Sequence, residues 1–334
     1  MPAETPPPAA AASPRGLGWA FVFLTGVTFS LMVLGALVRA HGAGLACPDW
    51  PLCFGRVVPT FDLRIAFEWS HRVLASVVSL GLAGLSGVLL RRPELRRRLA
   101  RPLAAAWLLL AVQVVLGGLT VLLRLAPWTV TAHLLTGTAF CTVLLWIARD
   151  LLEWGAPVVR ARPTGAVRTL ALTSAGLLVA QLVLGGLVSS QGAGLACASF
   201  PTCDGHAFVP TLGGLVGVQV LHRLNGGLLL ASVIALSVAA RGADPFGRLG
   251  GLAWTAVRLL VLQIGVGALN VLLLLPVEVT GLHTALAAAL ALTLGLVLRE
   301  IVYAAPPQAE RAEPQAPVQS RDESPAVRPL ASSG

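Results

Sequence analysis

Eight apolar runs, at approximately 17–40, 65–90, 103–124, 128–149, 167–190, 214–240, 251–275 and 279–302, constrain this 334-residue chain more than anything else in it. Crossing the hydrocarbon core of a bilayer takes about 20 residues of α-helix, and each run reaches that length. Within that core no water satisfies the backbone, so such runs have to form helices that bond internally. Composition agrees, with 56% hydrophobic residues, 12% charged residues and a mean hydropathy of +0.80, far from a soluble globular domain. The sequence therefore predicts an all-α integral membrane protein.

The eight runs are two copies of four. Gly42-Ala43-Gly44-Leu45-Ala46-Cys47 returns 150 residues later as Gly192-Ala193-Gly194-Leu195-Ala196-Cys197, Cys53 returns as Cys203 and Gln113 as Gln263. His71 and His133 return as His222 and His283, at spacings of 151 and 150. Such self-similarity marks an internal duplication. Because each copy has an even number of helices, both insert the same way up, related by an axis along the membrane normal. The expected architecture is two tandem, parallel-related four-helix bundles, at 17–150 and 167–303, joined by a cytoplasmic linker at 151–166. Polar, Pro/Ala-rich tails at 1–16 and 304–334 are expected to be disordered.

Arginine placement sets the orientation. Arg91, Arg92, Arg96, Arg97 and Arg98 lie between the second and third runs, and Arg149, Arg160, Arg162 and Arg168 around the linker, whereas 191–213 has no Lys or Arg and 41–64 only Arg56 and Arg64. Both termini are thus expected in the cytoplasm and both cysteine loops outside, in the plasma membrane. The net charge of +9 then reflects topology, not nucleic-acid binding. On the outer side disulfides persist. Cys47 with Cys53 and Cys197 with Cys203 are the expected pairs, each closing a short loop worth about 2 kcal/mol. Zinc is disfavoured by the wide spacing, and the lone Cys141 reads as a small packing residue.

The four repeated histidines fall one to two turns inside even-numbered helices that all start on one side, so they share a depth. In an up-down four-helix bundle the second and fourth helices are diagonal, which lets His71 pair with His133 and His222 with His283. Paired imidazoles in an apolar slot suit axial ligation of haem iron, and ionisable residues at membrane depth are usually functional. Arg72 and Arg223 directly follow a ligand candidate and are candidates for binding haem propionates, or for reaching the headgroups. The glycine-rich stretches around Gly35, Gly117, Gly118, Gly185, Gly186, Gly265 and Gly267 allow close approach, and Gln113 and Gln263 read as interhelical donors. His41 and His206 have no repeat partner and read as loop residues.

One difference between the copies stands out. Glu68-Trp69-Ser70-His71-Arg72 aligns with Gln219-Val220-Leu221-His222-Arg223, so only the first copy has a carboxylate three residues before its histidine, on the same helix face. A haem that only carries electrons needs no carboxylate, whereas oxidative chemistry needs a proton acceptor. An ion pair with Arg64 or Arg72 is the structural alternative.

Gly44-Leu45-Ala46-Cys47-Pro48-Asp49-Trp50-Pro51-Leu52-Cys53, Glu68-Trp69-Ser70-His71-Arg72 and the eight-helix duplication resemble the haem A synthase family of respiratory-oxidase assembly, over nearly the whole chain apart from its tails. The resemblance implies oxidation of the C8 methyl of haem O to a formyl group, by two successive two-electron steps with water as the oxygen source. It implies substrate held by His71 and His133, haem b as a cofactor on His222 and His283, and Glu68 as the catalytic carboxylate. Implied partners are a haem O synthase as donor, an electron acceptor in the membrane and a homo-oligomeric copy. The second loop departs from the pattern, reading Ala198-Ser199-Phe200-Pro201-Thr202 where the first has Pro48-Asp49-Trp50-Pro51-Leu52. A non-enzymatic dihaem cytochrome b is the main competing function; a thiol-disulfide oxidoreductase or a transporter leaves the histidines or the even-numbered repeat unexplained.

Overall fold

A computed structural model describes residues 14–304 apart from 157, 159, 161 and 244–246, so nearly all of both expected tails lies outside the described residues. Among the described residues eight α-helices make up most of the chain: α1 (Arg15–Ala40), α2 (Leu63–Leu90), α3 (Pro93–Leu122), α4 (Pro127–Leu152), α5 (Gly165–Ser190), α6 (Gly214–Ala243), α7 (Arg248–Leu272) and α8 (Val277–Val302). All eight are long and apolar enough to cross a membrane. Phe23, Leu80, Leu108 and Leu228 point outward from them, an arrangement that suits lipid and not water. The chain is a multi-pass membrane protein.

Helix ends follow local chemistry. Asp62 caps α2 by accepting from the Ile65 amide at 2.8 Å, and Thr164 caps α5 by accepting from Val167 at 3.3 Å. Pro93 and Pro127 open α3 and α4, where a missing N–H costs nothing. That proline, with Glu94 in the first turn, starts α3 ten residues before the apolar run does, so the arginine-rich stretch Arg96–Arg98 is helical and the α2–α3 connection shrinks to Arg91 and Arg92. Hydropathy marks the buried part of a helix, not the part that projects beyond the membrane core.

At the other end, α1 and α5 stop on Gly42 (φ +62°) and Gly192 (φ +71°), the left-handed position that glycine adopts without strain. Arg124 and Leu125 after α3, and Leu274 and Leu275 after α7, also sit at positive φ, with the Leu125 amide on the Thr120 carbonyl at 2.8 Å and Leu275 on Asn270 at 2.7 Å. Left-handed leucines are strained and need a reason. The side chains of Leu125 and Leu275 pack on Gly44 and Gly194, where an added Cβ would come within 3.3 Å and 2.9 Å of them. This explains the second glycine of each Gly-Ala-Gly motif.

Helix α2 touches α1 and α3, as α4 does; α6 touches α5 and α7, as α8 does. Phe21, Val78, Leu99 and Leu144 belong to a buried cluster drawn from α1–α4, and Val167, Leu229, Val257 and Leu294 to one drawn from α5–α8. The halves meet through α1–α8, α4–α5 and α4–α8 contacts, with Gly186 against Thr131, Gly281 against Leu37 and Gly295 against Thr142. Opposite the disulfide end, the same seam holds an ion network. Arg299, 1% exposed, bridges Asp150 at 2.5 Å and Glu153 at 2.9 Å, and Arg248 bridges Glu153 at 3.1 Å and Glu300 at 3.0 Å. Burial alone would raise the Glu153 pKa, but hydrogen bonds from Arg299 and Arg248 and the charge of Arg149 outweigh it and hold the carboxyl at about 2.

Candidate functional site

His71 and His222 lie eight residues into α2 and α6, and His133 and His283 six residues into α4 and α8, all entering from the disulfide end. At a rise of about 1.5 Å per residue the four rings share a level. By their contacts α2 and α4 each pack on α1 and α3, and α6 and α8 each on α5 and α7, so two of the histidines stand on α2 and α4 and two on α6 and α8. Each ring is half-buried, and the Nδ1 atoms of His71, His133 and His283 are inaccessible, that of His133 with no hydrogen-bond partner among the described residues. Buried nitrogens without partners are unusual and call for an explanation.

Each imidazole edge meets a glycine on a neighbouring odd-numbered helix. A Cβ on Gly35 of α1 would lie 3.1 Å from His71 Cε1, and one on Gly117 of α3 would lie 3.5 Å from His133 Cε1. In the second half Gly185 of α5 stands 3.1 Å from His222 Cε1 by the same measure, and Gly267 of α7 stands 3.0 Å from His283 Cε1. These glycines repeat at the 150-residue spacing, Gly35 with Gly185 and Gly117 with Gly267. At Gly35, Gly185 and Gly267 a Cβ would sit closer than ordinary contact and the ring would have to give way, while at Gly117 it would just touch the ring. The glycine-rich stretches are therefore, at these four positions, seats for the histidines. That was legible as a spacing but had no meaning until the rings were seen against them.

Glu68 is 4% exposed and both its oxygens are engaged. Oε1 accepts from Arg72 Nη2 at 2.5 Å and Oε2 accepts from the Cys47 amide at 2.8 Å. Arg72 in turn donates to the carbonyls of Asp49 at 2.8 Å, Leu52 at 2.5 Å and Cys47 at 3.3 Å. Arg223 does the equivalent in the second half, donating to Ser199 at 2.8 Å, Thr202 at 3.0 Å and Cys197 at 3.0 Å. Both guanidiniums thus tie a cysteine loop to the helix below it. Sequence reasoning missed this because the acceptors are backbone carbonyls, which leave no residue-type signal. Gln219, where Glu68 would be, donates only to the Gly194 carbonyl at 3.3 Å, and its Oε1 is buried without a partner.

The loops are closed by disulfides, Cys47 to Cys53 and Cys197 to Cys203, with Cα separations of 4.8 Å and 4.3 Å. Cys141 is free and buried, with its thiol toward the Thr25 carbonyl. Inside the first loop Asp49 accepts from the Gly55 amide at 2.7 Å and the Phe54 amide at 2.6 Å, and the Gly55 bond leads in holding its carboxyl below the usual range. The second loop reaches the same closure with a hydroxyl, since Ser199 accepts from the Gly205 amide at 2.8 Å. Trp50 leans over α3, its indole 3.3 Å from where a Cβ on Gly118 would sit, one residue beyond the seat of His133.

A second contrast lies on the inner faces. Gln181 of α5 places its amide nitrogen 3.2 Å from His222 Nδ1 and 3.4 Å from Nε2, and Asn225 of α6 donates to Gln181 Oε1 at 2.7 Å and to the Leu177 carbonyl at 3.0 Å. The matching positions in the first half are Leu31 and Leu74. Gln113 donates to the His133 carbonyl at 2.8 Å, and the Oε1 atoms of both Gln113 and Gln263 are buried without a partner among the described residues. His41 bonds the Leu37 carbonyl at 2.9 Å and stacks on Phe67 at 4.1 Å, and His206 is exposed in its loop. Neither stands with the four repeated histidines.

The profile of the cytochrome oxidase assembly protein family matches residues 18–66 and 60–295. The chain belongs to this family. It is 30% identical to the heme A synthase of Shewanella oneidensis over 327 aligned positions, covering 83% of this chain and 94% of the relative. It is 32% identical to the heme A synthase of Symbiobacterium thermophilum, covering 78% and 88%. The heme A synthase of Caulobacter vibrioides is 27% identical, with 81% and 92% covered. All eight helices fall within the matched region or extend it by a few residues.

Proposed function

We propose that this protein is a haem A synthase, converting the C8 methyl of haem O to a formyl group with water as the oxygen source. Each of the two steps removes two electrons, so one methyl and one water give one aldehyde, four protons and four electrons, the electrons leaving to a membrane acceptor. The single observation that carries this reading is the unequal pair of otherwise matched sites: glycine-seated histidine pairs in both halves, with a buried carboxylate beside only one. Matched imidazole pairs, half-buried and with ring edges seated on glycine, fit haem.

In this reading α1–α4 form the substrate domain, with His71 and His133 as its axial ligands. Helices α5–α8 form the cofactor domain, with His222 and His283 ligating haem b, which when bound supplies an iron able to accept and pass on an electron. Glu68, one turn from His71 on the same face, takes up protons released from the substrate methyl and faces positive charge developing there. Arg72 and the Cys47 amide fix the carboxylate's position, so it needs no reorganisation at the moment of reaction. The disulfide loops roof the sites from the outer side of the plasma membrane, and both termini are cytoplasmic. Haem O arrives from a haem O synthase. A dihaem electron carrier would want equivalent sites, and the Glu68/Gln219 and Leu31/Gln181 differences run against it.

Pigment extraction from the purified protein tests this. Haem b together with haem O or haem A is expected, and haem b alone overturns the synthase reading. The division of labour is tested by His71→Ala and His133→Ala, which should spare the low-spin haem b spectrum, against His283→Ala, which should abolish it at equal protein level. The opposite pattern would reverse the assignment of the halves.

A further inference from the structure

Arg258 is a cation in the middle of a membrane-spanning helix, turned away from its own bundle. It lies ten residues into α7, about 15 Å along the helix from Arg248, whose ion pairs with Glu153 and Glu300 mark the end opposite the disulfides. Fourteen further residues, as far as Leu272, separate it from the other end. Its side chain is exposed and has no ion pair or hydrogen bond among the described residues. Ionisable side chains at such depth are rare, and as a rule they turn inward or meet a counter-charge.

The first half supplies the comparison. At the repeat spacing Arg258 corresponds to Leu108 of α3 and Gly265 to Val115, and both of these apolar side chains are exposed, as suits lipid. On α7 the outward face carries Gly251, Thr255, Arg258, Leu262, Gly265 and Leu269, all exposed and three or four residues apart, so they form one stripe along the helix. A Cβ on Gly251 or on Gly265 would meet nothing within 4 Å. The Thr255 hydroxyl is satisfied by the Gly251 carbonyl at 2.9 Å. Open backbone at both glycines lets another helix approach closely, and a bare cation stands between them.

A lipid phosphate would draw the guanidinium toward the headgroups, but it gives no reason for a glycine at 265 to accompany the arginine. A second copy of this chain inserts in the same direction, and among the described residues it offers no free carboxylate at this level. Glu68, Asp150 and Glu300 are buried and already paired. Glu94 stands fourteen residues before Leu108, about 21 Å toward the ion-network end, and Glu278 opens α8 at the disulfide end. Asp49, Asp62 and Asp204 belong to the disulfide-end loops, and Glu153 follows α4.

We propose that the Arg258 face of α7 docks a transmembrane helix of a different protein, one that carries Asp or Glu at the depth of Arg258 and a large apolar residue over Gly265. The same helix seats His283 with Gly267, so the partner stands behind one wall of the second site.

The full-length protein in its native membrane provides the test. A photoreactive diazirine residue in place of Leu262 should crosslink to a spanning helix of another protein, and mass spectrometry of the joined peptide should find an acidic residue in it. Arg258→Leu and Gly265→Val, which copy the first half into the second, should each cut the yield about 10-fold, the worth of one interhelical contact, at unchanged expression and haem content. Charge exchange decides the matter: Arg258→Glu should abolish the crosslink, and arginine in place of the partner's carboxylate should restore it. Adducts with lipid only, with a second copy only, or with a helix that lacks an acidic residue would each overturn the proposal. So would a crosslink indifferent to Arg258→Leu, or the same partner captured equally well by the diazirine residue placed at Leu108.

Discussion

In the α1–α4 half the position three residues before the first histidine is Glu68, bonded to Arg72 and to the Cys47 amide; in the α5–α8 half it is Gln219, bonded to one carbonyl. On the inner face the polarity reverses, with Leu31 and Leu74 in the first half and Gln181 and Asn225 in the second. Everything that shapes the sites is common to both: the glycine seats, the arginine that ties down the loop, the disulfide, and the left-handed leucines that close the next turn. In the proposed reading the duplicated frame would hold a haem in each half, and the buried carboxylate marks the half where the chemistry is proposed.

The strongest way to break this comparison is Glu68→Gln, which gives the first half the second half's residue. Amide and carboxylate have nearly the same shape, and Gln219 shows that the fold accepts the amide. Haem binding should persist while haem A formation falls on the order of 10²- to 10⁴-fold, the usual worth of a placed proton acceptor. Near-normal haem A yield from the purified variant would show that Glu68 only anchors Arg72.

A second contrast concerns the two loop-tying arginines. Arg72→Ala strips three carbonyls of a donor and also leaves the buried Glu68 carboxylate without its cation, a change that costs about 3–5 kcal/mol. Arg223→Ala frees three carbonyls and no charge, which places it at about 1–3 kcal/mol. Thermal unfolding in detergent should therefore rank Arg72→Ala well below Arg223→Ala, and Glu68→Gln combined with Arg72→Ala should recover part of the gap. Equal losses would mean that the Glu68–Arg72 pair contributes nothing beyond its hydrogen bonds.

Most of the frame was legible in the sequence because duplication and hydropathy are both repeated signals. The eight helices, the cysteine pairs and the matched histidines each appear twice, so the second copy checks the first. What escaped was of two kinds. The loop ties made by Arg72 and Arg223 escaped because their acceptors are backbone carbonyls, which leave no residue-type signal. Gln181 and Asn225 escaped for the opposite reason: they occur once, and only aligning them with Leu31 and Leu74 at the repeat spacing singles them out. The early start of α3 was hidden because its arginine-rich first turns carry no apolar pattern, although Pro93 and Glu94 mark the helix start.

The smallest expected effect lies where the halves join. Arg149-Asp150 of α4 and Arg299-Glu300 of α8 occupy repeat-related positions, yet Glu153, which follows α4, is the carboxylate that Arg149, Arg160, Arg248 and Arg299 all reach. Its folded pKa is depressed from 4.5 to about 2, so the stability it contributes is present above the unfolded value and is lost as pH falls through that window. Unfolding temperatures measured from pH 7 down to pH 2 should therefore be flat until about pH 4.5 and then decline, whatever other carboxylates add to the fall. Glu153→Gln should start from a lower plateau and decline less steeply, because it has no proton to gain. A parallel profile, displaced but equally steep, would mean that the seam between the halves is held by packing at Gly186, Gly281 and Gly295 and not by this network.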